Sequence, residues 1–150
     1  MKSVTQPEAV EVALCHGWID SQMRPESESA WLQRFTPRRP TSIWSKINRE
    51  RALALIAGGR MRAAGLEEIE RAKQDGRWDA AYDSAKTITV PADFESELEA
   101  HPKAKAFFET ISGANRYAIL WRLQTAKKAE TRAKRIRTFI EMLEKGETIH

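Results

Sequence analysis

Apolar positions recur along this chain at helical spacing in several stretches, and two short runs near the front replace that rhythm with aromatic and branched residues. Thr5 followed three residues later by Glu8 is a capping box, and Pro7 suits a first turn, so a helix starts there. Ala9, Val10, Ala13 and Leu14 form its inner stripe, and Gly17 ends it. Residues 18–22 and 31–36, bounded by Gly17, Pro25 and Pro37, predict two strands in an antiparallel hairpin. The polar run MRPESESA between them reads as a long loop.

Pro37 and Pro40 interrupt regular structure, after which Thr41, Ser42 and Ser45 are alternative N-caps for a helix over 48–57. Ile47, Leu53 and Ile56 are expected on its inner side, and Gly58-Gly59 stops it. Leu66, Ile69 and Ala72 predict a helix over 64–75, closed by Gly76. Residues 77–86 read as an ordered loop and 87–90 as a short extended piece. Beyond Pro91 everything is helical. Phe94 and Leu98 anchor a short helix ending at His101-Pro102, because a residue before proline is pushed out of the α region. A second helix covers 104–111. After a break at 112–115, Tyr117, Leu120, Trp121 and Gln124 mark another, and Ile136, Phe139, Ile140 and Leu143 a last one over 129–145.

A length of 150 residues predicts one domain with a sizeable core, and 41% hydrophobic with 31% charged residues is ordinary for a globular protein. The lone Cys15 cannot form an internal disulfide; beside Leu14 and Trp18 it reads as a small buried thiol, which suits a reducing compartment. Gln6, Glu8 and Glu11 interrupt any secretory apolar run, and no window approaches the roughly 18 apolar residues of a membrane span. A cytoplasmic protein without membrane insertion is expected. The net charge of +4 is unevenly spread. Basic side chains dominate 34–51 and 116–137, and acids dominate 67–99, so the blocks pair within the fold or leave a basic face for anionic partners.

The chemistry concentrates in residues 15–51, where indoles and polar groups alternate. Trp18, Asp20, Arg34, Arg38, Trp44, Ser45 and Asn48 are the candidate ligand-binding set. The tryptophans, Trp31 among them, also serve as ordinary core filling. Asp20 with Arg34 and Arg38 can form a bidentate ion pair across strands; if the arginines instead face a cleft, their forks suit a carboxylate or phosphate, with Ser45 and Asn48 adding donors at a helix start. An anionic small molecule or a protein is the expected partner. Lys127, Lys128, Arg132, Lys134 and Arg135 read as a solvated helix face, or alternatively as a nucleic-acid-binding stretch neutralising phosphates beside Trp121 or Tyr117, without any base-reading motif. No catalytic constellation, cofactor or metal site is expected: His16, His101 and His150 lack ligand spacing, Cys15 and His16 are adjacent and point apart, and no glycine-rich phosphate loop occurs.

The segments ALCHGWIDSQ, QRFTPRRPTSIWSKIN, GRMRAAGLEEIERAKQDGRWDAAYD and NRYAILWRLQTAKKAETRAKRI together closely resemble the YdeI/OmpD-associated family, also described as bacteriocin-protection proteins, over nearly the whole chain. The resemblance implies an α+β fold in a single domain over 1–150: a small antiparallel β-sheet within 1–90, then a mainly α-helical C-terminal module over 91–150. It implies a role in resisting bacteriocins or cationic antimicrobial peptides; with no catalytic constellation in the sequence, a non-enzymatic stress-response module is the expectation. Relatives carry a further strand ahead of the segment matching Ser3. If that strand is absent, the hairpin keeps an unpaired edge through which a homodimer could form; if the start is misassigned, part of the core lies outside the sequence given.

Overall fold

The structure, a computed structural model, describes residues 2–150. The chain divides into two compact units, Met1–Ala81 and Tyr82–His150. Among the described residues they hold a two-stranded antiparallel sheet and seven helices, an α+β fold. The division falls ahead of the 90/91 boundary drawn from the sequence because Tyr82 packs edge-on against Trp121, and Ile88 and Val90 pack against the C-terminal core.

The first unit opens with α1 (Gln6–Cys15). Its capping box forms as the sequence predicts: Thr5 Oγ1 accepts from the Glu8 N–H at 3.4 Å, and the Thr5 N–H donates to Glu8 at 2.7 Å. Gly17, with φ +74°, turns the chain into β1 (Trp18–Ser27), which pairs with β2 (Ala30–Pro37). The strands run further than expected. Met23–Ser27, read from sequence as loop, belongs to β1, which accommodates Pro25 because among the described residues no strand pairs with its outer edge. The register slips between Asp20 and Met23 and again between Pro25 and Ser27, each time with one extra residue on β1.

Next come α2 (Lys46–Ala57), capped by Ser45, and α3 (Ala63–Gln74). The phase of α2 corrects the sequence reading. Ala52 and Leu55 are buried, whereas Ile47, Leu53 and Ile56, expected inside, are exposed. The helix is apolar around most of its circumference, so periodicity could not select the inner face. Leu66 of α3 is likewise exposed, while Gly65, Ile69 and Ala72 face inward. The core of this unit gathers Val10, Leu14, Cys15, Trp44, Leu55 and Trp78 with small alanines between them.

The second unit is α4 (Ala92–Ala100), α5 (Pro102–Thr110), α6 (Gly113–Gln124) and α7 (Ala129–Glu144). His101 separates α4 from α5 at φ −126°, ψ 77°, the extended conformation that a following proline imposes. Residues 87–90 are not a strand, yet Ile88 and Val90 lie on the core formed by Phe94, Leu98, Phe108, Ile119, Leu123 and Leu143.

In the first unit α3 approaches the end of α1 closely at Gly65. A Cβ on Gly65 would stand 2.5 Å from the Cys15 carbonyl oxygen and 2.6 Å from that of Leu14. Gly65→Ala should therefore cost about 1–3 kcal/mol or more through overpacking against backbone that cannot rotate away. Urea unfolding checks this; Gly113→Ala, where a Cβ meets nothing within 4 Å, is the control expected to change stability far less.

Candidate functional site

Sequence reasoning grouped seven residues of the front third; the fold separates them into three places. By the strand register, Trp18, Asp20, Met23 and Pro25 lie opposite Pro37, Phe35, Gln33 and Trp31, so these eight share one sheet face. Arg34 precedes Phe35 by one residue and points to the other face, exposed. An Asp20–Arg34 bidentate pair is thus ruled out by strand alternation. Trp18 is 42% exposed and is not core filling.

Arg38 and Trp44 do meet, but under a sealed surface. The guanidinium carbon lies 3.6 Å from the centre of the Trp44 ring, Arg38 Nη1 donates to the Ile43 carbonyl at 3.4 Å, and the two residues are only 6% and 2% exposed. The backbone N–H of Arg38 donates to the Gly17 carbonyl at 2.9 Å, which fixes where the side chain enters the core. Trp78 packs on Trp44 with ring centres 5.0 Å apart and an angle of 64°. Beside this stack the buried Arg77 binds Asp75 at 2.7 Å and the Ser42 carbonyl at 2.7 Å, and Arg49 caps the Trp78 carbonyl at 3.0 Å. Ser45 spends its hydroxyl on the Asn48 N–H as helix cap, at 3.1 Å. These side chains knit the unit together and leave no open anion cradle around Arg38.

An open concavity of the first unit lies elsewhere. A groove of about 860 Å³ runs between the start of α1 and the outer half of the hairpin, walled by Val4, Ala9, Met23, Trp31 and Phe35. Trp31 is 60% exposed, Met23 53% and Val4 72%. Glu26 is the one charged residue lining it among the described residues. Trp31 was read from sequence as core filling and Met23 as loop; only the observed register puts both on the face that α1 half covers.

In the second unit the basic stretch also divides. Arg132 holds Asp93 through two bonds, Nε at 2.6 Å and Nη2 at 2.7 Å, and donates Nη1 to the Leu123 carbonyl at 2.7 Å. Arg135 donates Nη1 to the Arg122 carbonyl at the end of α6. Lys127, Lys128 and Lys134 are exposed. Two of the five candidate phosphate contacts are therefore engaged in tying α7 to α4 and α6, which weakens the nucleic-acid alternative. A polar latch that the sequence did not reveal joins Asp83 to α6. Gln124 Oε1 accepts from the Asp83 N–H at 2.8 Å, its Nε2 donates to the carboxylate at 2.6 Å, and Tyr117 donates to the Asp83 carbonyl at 2.9 Å. Burial, aided by Tyr82 and Asp83, raises the Tyr117 hydroxyl pKa.

Among the described residues no cluster of three or more histidine, cysteine, aspartate or glutamate side chains is arranged for a metal ion, and no helix is long and apolar enough to cross a membrane. Residues 87–146 match the OmdA family, described as bacteriocin-protection, YdeI or OmpD-associated. At family level the match supports a bacteriocin-protection-type, YdeI-like role. It covers much less of the chain than the near-complete resemblance read from sequence. Residues 1–68 match a separate family model, a domain of unknown function, DUF8412. No curated protein and no solved structure matches the chain.

Two outcomes follow from this geometry. Arg38→Ala should destabilise the protein by about 2 kcal/mol, the scale of a desolvated cation–π contact, whereas Arg34→Ala should stay within about 0.5 kcal/mol; denaturant titration of both separates them. Hydrogen bonding from Arg132 lowers the Asp93 pKa below its ordinary value. The stability it contributes is present above the unfolded carboxylate value of roughly 4 and is lost as pH falls through the lower folded value. Asp93→Asn should flatten the stability curve below about pH 4, and its thermal melts should track wild type less closely at pH 7 than at pH 2.

Proposed function

We propose that this is a non-enzymatic protection protein that captures an extended, amphipathic, cationic peptide segment in the groove between α1 and the hairpin. The observation that carries the reading is the exposed wall of Trp31 and Met23 facing Val4 across a concavity large enough for several side chains. An exposed tryptophan on a rigid strand offers much contact area at little entropic cost, the usual character of a binding anchor. Glu26 selects the sign of the partner, since it is the only charge on the rim among the described residues. An anionic ligand loses support, because Arg38 is buried on Trp44 while Arg34 is exposed, so the two guanidinium groups do not line one open cleft.

The bacteriocin-protection description of the matched family is compatible with such a partner. The proposal places the protein in the cytoplasm, where its single buried thiol, Cys15, would stay reduced. Stress-linked resistance to antimicrobial peptides would follow from sequestering the peptide rather than from altering it.

The test is a fluorescence titration with a synthetic cationic amphipathic peptide, paired with a growth assay under bacteriocin challenge. Trp31→Ala should weaken binding by about 30-fold, as loss of a hot-spot side chain does, while far-UV circular dichroism stays that of wild type. Undiminished affinity in the folded variant would remove the groove from the function.

A further inference from the structure

We propose that β2 is a self-pairing edge, and that two copies of this chain join β2 to β2 in antiparallel register centred on Gln33. The two edges of the hairpin are not equivalent. β1 carries Pro25 and both bulges, the devices that blunt an edge against pairing. β2 has no bulge, no proline before its last residue and a single charge, Arg34. It has one hydrogen-bonded neighbour, so its other side presents a row of main-chain donors and acceptors.

The direction of those groups can be read from the structure. The Arg34 carbonyl turns toward β1, where it accepts from Ser21 Oγ at 3.3 Å. By alternation along an unbulged strand, the N–H and C=O groups of Trp31, Gln33 and Phe35 turn to the open side. An antiparallel copy centred on Gln33 sets Gln33 against Gln33, Trp31 against Phe35 and Arg34 against Leu32. Every outward backbone group then finds its counterpart, aromatic residues face each other in cross-strand pairs, and no like charges oppose. Trp31, 60% exposed in one copy, would lie beside Phe35 of the other, at the groove that Phe35 helps to line. A hairpin of only two strands also gains most from such extension, since isolated two-stranded sheets are marginal. The same edge would exclude the peptide proposed above, so that copy and peptide compete; the pairing itself does not depend on that reading.

The experiment uses the full chain without any peptide. Light-scattering mass across a concentration series should rise from one copy to two. Gln33→Pro removes the N–H on the open side, where an edge strand tolerates proline, together with the side-chain amide's bonds to the Ser21 and Gln22 carbonyls of β1, and should weaken self-association at least tenfold relative to Gln33→Ala, which loses only those side-chain bonds. Gln33→Cys should give a covalent dimer on mild oxidation, because residues opposed across such a pair lie about 5.5 Å apart at Cα, within disulfide reach. Arg24→Cys, on the blunted strand, should not, and Cys15 is buried. If Gln33→Pro fails to fold, the cysteine pair decides. A wild-type mass that stays at one copy through millimolar concentration, or equal crosslinking from residues 24 and 33, would overturn the proposal. Loss of peptide binding with dimerisation intact would fail only the earlier reading.

Discussion

The approach of α3 to the last turn of α1 is the constraint on which the first unit rests. It is possible only because residue 65 has no side chain: a Cβ there would overlap two backbone carbonyl oxygens. The Arg62 N–H at the start of α3 in turn satisfies the Cys15 carbonyl at 3.2 Å, so the close approach also pairs a helix-end acceptor that would otherwise be orphaned. Gly17 lies in the same crowded corner, where a Cβ would meet the Ala64 oxygen at 2.9 Å. From there the order propagates along the backbone. The Gly17 carbonyl receives the Arg38 N–H, which brings the end of β2 back over α1 and delivers the guanidinium onto Trp44. The hairpin is thus anchored at its base and left open at its tip.

Burial departs from the usual assignment of residue types at a few positions around the hairpin. Arg38 and Arg77 are interior, while Trp31, Met23 and Leu32 are exposed. Each buried arginine has a geometric justification, a flat indole face in one case and a carboxylate with a main-chain oxygen in the other. In the second unit Arg132 and Arg135 follow the same logic by donating to carbonyls near the end of α6, where helix carbonyls lack internal partners. A basic stretch in sequence therefore contains two populations, those that tie helices together and the lysines left to water. Net charge cannot distinguish them.

What could be read from sequence was set by how locally each signal acts. The capping box of α1, the Ser45 cap, the proline break at His101-Pro102 and the four-residue repeat from Ile136 to Leu143 are settled within a few residues, and each forms. The inner face of α2 was not legible, because Ile47, Leu53 and Ile56 compete with Leu55 and only packing against α1 chooses between them. The extent of β1 was hidden by Pro25, which argues against a strand until the outer edge is known to be free. The site suffered most. Proximity of Trp18, Asp20, Arg34 and Arg38 in sequence suggested convergence, yet strand alternation separates Asp20 from Arg34 by the thickness of the sheet. The Asp83 latch joins residues 41 apart and has no local signature.

Two of the exposed apolar regions among the described residues of the first unit differ in what they could do. Ile47, Leu53 and Ile56 are spread around α2, a convex helix whose backbone groups are already satisfied internally. The hairpin tip combines an apolar face with a concavity, a defining carboxylate and an unpaired main-chain edge. Apolar area alone attracts without discrimination, whereas a strand edge imposes direction and register on whatever joins it. The blunting of β1 by Pro25 and two bulges sharpens this further, since it leaves β2 as the edge free to pair. A chain that merely tolerated a stray hydrophobic hairpin would have no reason to protect one side and leave the other bare. That asymmetry is the observation on which the proposed pairing of β2 rests.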